Sequence, residues 1–305
     1  MTTTAAAPFA YAPIRRLHED RTRQIRTITH PDAPQRPDSS AGTAFGYAVA
    51  HHVLEGAESA ARARDVARFD WYATNPDAGA GVLASPTAAG PRVIVAPDLS
   101  RLPTSPISDT PYYVLGPDSC AAPRTLQDLA AAAYSTADAA GFGDLLAAHA
   151  VVVCLLRTKT LGQTLDSWTI TRLPGTVFTD HIGDPVVLAR DLIHEGGHNW
   201  LNDALTATRS KVSDTERFFS PWKDTVRPAF GFLHACWSFP LTMIYTARII
   251  DQTTGDLRKF LAAYLDKQRP LLAATAADHA RALDLVADDD LRTRLRDVHQ
   301  QAAGL

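Results

Sequence analysis

The chain reads as an α+β protein, predominantly helical, in which a small β-sheet accompanies a helical metal-binding core. Three observations predict this. An alanine-rich stretch from Thr43 to about Ala67, an alanine- and leucine-rich one from Leu126 to Ala150 and a strongly apolar one from Pro228 to about Ile250 read as helices. Short apolar runs at Arg92–Ala96, Tyr112–Leu115 and Val151–Leu156 read as strands, too few for a large sheet. Between them lies Leu192-Ile193-His194-Glu195-Gly196-Gly197-His198-Asn199-Trp200-Leu201-Asn202, a helix carrying two histidines four residues apart.

Residues 1–42 are expected to form an N-terminal arm and linker. The first 13 are small, polar and proline-containing, Arg15 to Thr29 forms a short helix, and Pro31 to Gly42 is turn-rich. Residues 43–305 then form a single catalytic domain with its metal-binding core at about 165–250, since no internal repeat or second domain is evident. The first helix of that domain holds His51 and His52, which point about 100° apart and read as surface or core-edge residues. A loop over 74–91 precedes the first strands. The helical region 126–150 breaks at Gly141-Phe142-Gly143. Trp168–Thr171 and Thr176–Phe178 flank Pro174-Gly175 as a hairpin leading into the metal helix. Asp184 is an N-cap candidate for that helix, with Pro185 in its first turn. Arg209 to Thr225 reads as a polar loop or broken helix with a turn at Ser220-Pro221-Trp222. Beyond Leu257 the pattern predicts two amphipathic helices separated near Arg269-Pro270 and a third after Asp288-Asp289-Asp290.

Composition excludes several classes. A net charge of −3 offers no basic field for nucleic acid. No run approaches the roughly 18 apolar residues of a membrane span, and the first residues lack the basic and apolar regions of a signal peptide. Cys120, Cys154 and Cys236 are odd in number and widely spaced, suggesting neither a disulfide framework nor a CxxC metal site. The cytoplasm is the expected compartment.

Histidines at i and i+4 lie one turn apart on the same helix face and can share a metal ion, with Glu195 beside them to take a proton or orient a ligand. A bare HExxH pattern is weak; the helical context, apolar flanks and downstream donors favour a metal site. Each glycine between the histidines costs about 1 kcal/mol relative to alanine, so the pair predicts bulky packing or a close backbone approach there. A third ligand comes from one of two places. Glu216, eighteen residues after His198, would suit a zinc peptidase with Glu195 as general base. His234, on the next apolar helix, would complete a three-histidine site. The metzincin pattern fails, because Leu201 and Ala204 stand where it needs glycine and histidine.

The run His194–Asn202, then Ser220-Pro221-Trp222-Lys223-Asp224, Arg227-Pro228 and Gly231-Phe232-Leu233-His234, is similar to the HExxH-motif peptide-modification proteins. That family includes iron- and 2-oxoglutarate-dependent peptide β-hydroxylases of ribosomal natural-product pathways. The resemblance spans residues 165–250 and is looser outside them. It implies that His194, His198 and His234 bind Fe(II), with 2-oxoglutarate as cosubstrate and O₂ as oxidant. The substrate would be a peptide or peptide-like natural product, with a precursor or carrier protein as partner. Arg227, then Lys223, match the family's basic positions and suit the cosubstrate's distal carboxylate. Asn202 shares the ligand face, and Glu195 is freed from the role of hydrolytic base. The glycines at 196 and 197 depart from the family pattern and predict an enlarged pocket. The rival readings are a zinc peptidase using Glu216 and a catalytically inactive member that binds a peptide or protein partner.

Overall fold

The computed structural model describes residues 9–31, 42–104 and 110–305. Its helices are α1 (Ala12–Thr29), α2 (Thr43–Ala63), α3 (Val66–Thr74), α4 (Ala80–Leu83), α5 (Arg124–Ala139), α6 (Gly143–His149), α7 (Pro185–Ala207), α8 (Ala229–Ile249), α9 (Gly255–Ala273), α10 (Ala276–Leu283) and α11 (Asp289–Ala303). The strands are β1 (Ala84–Thr87), β2 (Gly90–Val95), β3 (Val152–Thr158), β4 (Ser167–Trp168), β5 (Thr176–His181), β6 (Arg217–Ser220) and β7 (Thr225–Pro228). The fold is α+β and predominantly helical.

Five strands form a mixed sheet in the order β1-β2-β3-β5-β4. The three central strands are parallel, and the edge strands β1 and β4 run antiparallel to their neighbours. Side chains alternate across a strand, and here they divide two cores. Ile94, Val153, Leu155 and Val177 face the helices α5 to α11, while Val93, Val95, Val152, Cys154 and Phe178 face α2 and α3. Burial on both faces explains the continuous apolar runs of β2 and β3.

β5 feeds α7 directly. Asp184 caps that helix by accepting the backbone N–H groups of Val186 and Val187 at 2.9 and 3.2 Å, and Pro185 occupies the first turn. α8 packs along α7, and Trp200 and Trp237 stack between them with centroids 4.6 Å apart. Within the stretch expected as arm and linker, α1 buries Ile14, His18, Thr22 and Ile25 against the core, at spacings that keep them on one face. The turn-rich linker expected over Pro31–Gly42 falls mostly outside the described residues, as do the first eight of the arm.

Several local expectations are corrected. Tyr112–Leu115 is not a strand, because β2 is already paired on both sides by β1 and β3. Its polar groups bond outside the sheet instead: the Tyr112 N–H donates to the Pro103 carbonyl, the Leu115 N–H donates to His52 Nδ1, and the Leu115 carbonyl accepts from the Tyr72 hydroxyl. The polar stretch after α7 contains the β6–β7 hairpin, whose turn places Asp224 at φ 48°. Pro270 does not divide two helices. It lies in the last turn of α9, exposed together with Asp266, so the carbonyl that its missing N–H leaves free faces water.

His52 is a fully buried core residue rather than a core-edge one. Its Nδ1 accepts from Leu115, so the neutral ring carries its proton on Nε2 and donates to Thr176 Oγ1 at 2.9 Å. Burial holds this imidazole down at about 3. The unfolded chain, with an ordinary histidine near 6.5, binds more protons between those values, so stability falls as pH drops below about 6.5. Each such histidine contributes at most about 1.4 kcal/mol per pH unit. Urea unfolding at pH 7 and pH 5 should show a smaller loss for His52→Gln than for the unsubstituted protein; equal losses would remove His52 as a source of acid sensitivity.

Candidate metal centre

The i, i+4 spacing on α7 brings His194 Nε2 and His198 Nε2 to 3.2 Å. Two nitrogens bound to one ion at about 2.0–2.1 Å stand roughly 3 Å apart, so this pair is already at a ligating separation. α8 supplies the third imidazole. His234 Nδ1 is 2.9 Å from His198 Nδ1, and Ser238 Oγ is 3.1 Å from the same nitrogen. His234 therefore meets the ring nitrogen of His198 opposite the one that faces His194. The three histidines are brought together, with His198 in the middle.

All three rings are held neutral, the form that ligates metal. Burial pushes His198 down to about 4, with the Arg227 charge adding to the effect. His194 is lowered well below its ordinary value by burial and then by His198, Arg190 and Lys223. His234 is lowered likewise by burial, His198 and Arg227.

Glu195 is buried on the neighbouring face and offers one oxygen within 4.8 Å of a nitrogen from each of His194 and His198. Its Oε1 accepts from Ser167 Oγ on β4 at 2.6 Å. Burial raises this carboxyl to about 8; the Ser167 bond opposes that shift, and the Asp191 charge adds to it. Two buried donor atoms here lack hydrogen-bond partners, Glu195 Oε2 and His234 Nε2. Buried polar atoms are rarely left unpaired. Two imidazoles facing each other at ligating distance, with the Glu195 carboxyl beside them, fit a divalent transition metal; His234 lies on the opposite side of His198, outside that group.

The glycine pair has a packing cause, and the expectation of an enlarged pocket is not met. A Cβ at Gly196 would stand 3.4 Å from Leu146 Cδ2 on α6. One at Gly197 would stand 3.0 Å from Leu241 Cδ1 and 3.2 Å from Ser238 Oγ on α8. The Trp237 indole N–H also donates to the Gly197 carbonyl at 3.0 Å. Neighbouring helices fill the space on both sides.

Arg227 is partly buried and lays its guanidinium over the first turn of α8, with Nη1 3.4 Å from the Gly231 carbonyl oxygen. A Cβ at Gly231 would come within 3.0 to 3.2 Å of three guanidinium atoms, so that glycine makes the berth. Lys223 is exposed in the β6–β7 turn. Beside it, Trp222 stacks on Phe239 at 4.7 Å, and Phe239 meets His194 edge-on at 4.9 Å. Asn202 is half-buried one turn beyond His198. Glu216 is exposed, and its backbone carbonyl accepts the N–H of Ala229 at the start of α8.

Sequence reasoning missed Ser167, Ser238 and Arg190. Arg190 precedes His194 by one turn, pairs with Asp191 at 2.7 Å and lies over the rings of Phe260 and Tyr264. Its i−4 position was a readable signal; the two serines carry none. No family model and no curated protein matches the chain.

The glycines can be told apart by substitution. Gly196→Ala gains helix propensity of up to about 1 kcal/mol at ordinary contact distances. Gly197→Ala gains the same but crowds Leu241 and Ser238, and overpacking of this kind costs about 1–3 kcal/mol. Thermal unfolding should therefore rank Gly196→Ala above Gly197→Ala; the reverse order would contradict this packing.

Proposed function

We propose that the chain is an Fe(II)- and 2-oxoglutarate-dependent oxygenase that hydroxylates the β-position of an amino-acid side chain in a peptide or peptide-like natural product. The observation that carries this reading is the His194–His198 pair at 3.2 Å with Glu195 beside it; His234 packs on the opposite nitrogen of His198, so its ligation requires the His198 and His234 rings to turn. In this reading His194, His198 and His234 hold the iron. The metal with its cosubstrate and O₂ supplies the oxidising power for replacing C–H by C–OH. The resemblance of the His194–His234 motifs to HExxH-type peptide hydroxylases selects that chemistry among those open to such a donor set.

The remaining roles fall to side chains around the metal. Ser167 fixes the Glu195 carboxyl by donating to Oε1. Ser238 contacts His198 Nδ1 and fixes the ring, as partners of ligating histidines do. Arg227, already in a berth beside His234, is the cation assigned to the cosubstrate's distal carboxylate, with Lys223 second. Asn202 extends the same face of α7. Phe239 and Trp222 form an aromatic wall against His194 that limits water near the reacting centre. A cytoplasmic enzyme acting on a peptide, free or attached to a precursor or carrier protein, fits a chain in which no described helix is long and apolar enough to cross a membrane.

The peptidase alternative needs Glu216 as a ligand, and its exposed position before β6 gives it no support. Anaerobic addition of Fe(II) and 2-oxoglutarate to metal-free protein should produce a weak visible charge-transfer band that disappears when O₂ is admitted. His234→Ala should lose iron and the band, while Glu216→Ala keeps both. Retention by His234→Ala with loss in Glu195→Ala would move the third ligand to Glu195. Tightly held zinc, no band, and dependence on Glu216 would replace this reading with peptide hydrolysis.

A further inference from the structure

A second group of ligating side chains is closed inside the helical core, and no role proposed above uses it. His18 on α1, His149 at the end of α6 and Asp203 on α7 each offer one donor atom, all within 4.8 Å of one another. His18 Nε2 lies 2.8 Å from Asp203 Oδ2, and His149 Nδ1 lies 3.3 Å from the same oxygen. The three residues are 2%, 1% and 3% exposed. Donors sharing one ion at about 2.0–2.2 Å stand roughly 3 Å apart, so small rotations would close this group around a cation.

The surroundings support ligation over a simple hydrogen-bonded cluster. Tyr47 donates to the other carboxylate oxygen, Asp203 Oδ1, at 3.2 Å, and its ring stacks on His18 at 4.0 Å. That contact orients the carboxylate and leaves Oδ2 to the imidazoles, in the manner of partners that fix ligating carboxylates. His149 Nδ1, although 3.3 Å from Asp203, is buried without a hydrogen-bond partner. Asp203 Oδ2 thus takes one imidazole hydrogen bond, from His18, and faces a second imidazole nitrogen that is left unpartnered. A buried carboxylate oxygen beside an unpartnered buried imidazole nitrogen is an arrangement that a bound cation would complete.

We propose that His18, His149 and Asp203 bind a divalent transition-metal ion of the zinc type, as a structural clamp joining α1 to α6 and α7. Two imidazoles with one carboxylate suit zinc better than magnesium or calcium, which prefer all-oxygen sets. Closure from solvent argues for a structural ion over a second reaction centre. The proposal does not depend on the α7–α8 centre being catalytic.

The test uses the full chain, stripped with chelator, reloaded with Zn(II), desalted and assayed for zinc per chain by mass spectrometry. The His194→Ala/His198→Ala variant removes the first centre and leaves the buried group untouched. It should retain one zinc, and adding His149→Gln should weaken that binding at least about tenfold. A double variant that holds no zinc overturns the proposal, as does a triple variant that holds it undiminished. If the triple variant does not fold, cobalt in the double variant decides: X-ray absorption showing two imidazoles and oxygen supports the clamp, and absence of bound cobalt overturns it. A double variant that holds as much zinc as the unsubstituted protein supports the clamp and counts only against metal binding at the α7–α8 centre.

Discussion

The structure depends on how closely two helices approach α7 at Gly196 and Gly197. With no side chain at either position, α6 lies against one flank and α8 against the other, each near the distance at which a Cβ would touch it. Two glycines inside a helix cost about 2 kcal/mol together in propensity. Burial of the stacked Trp200 and Trp237, both fully enclosed, and the bond from Trp237 to the Gly197 carbonyl offset that cost. The same approach brings His234 to His198, so packing and site geometry share one cause.

The sheet anchors the site from the other side. β5 delivers the chain into the capped start of α7, and β4 at its edge contributes Ser167 to Glu195. Asn199, one residue past His198, donates to the carbonyls of His149 and Thr176, tying α7 to the end of α6 and to β5. The histidines of the candidate site thus alternate along α7 with residues that lock the helix in place. This arrangement holds the side chains of the candidate site in place through the scaffold itself.

What could be read in the sequence followed from local periodicity and capping. Asp184-Pro185 marked the start of α7, the break at Gly141–Gly143 separated α5 from α6, and the β-branched runs located β2 and β3. The i, i+4 histidines placed themselves on one face. The errors came where tertiary pairing decides. Tyr112–Leu115 has strand composition but directs its polar groups to His52, Tyr72 and Pro103 rather than to a strand, and the four-residue strands β6 and β7 are too short and polar to show a period. The partnership of His18 with Asp203 spans 185 residues, and no local pattern records it. Ser167 and Ser238 are likewise common residue types given meaning only by position. The glycine pair announced a close approach, but not that helices rather than a ligand would fill the space.

The N-terminal segment has its own consequence. The Phe9 carbonyl accepts from the Trp200 indole, and the Tyr11 hydroxyl donates to Asp288, the residue that caps α11, across 277 positions of sequence. Such contacts form only after a large loop has closed. The site that receives Tyr11 is complete only when α11 is in place. The residues just before α1 therefore fasten α7 and the start of α11 together, so losing them would uncover apolar surface around Trp200 and Trp237.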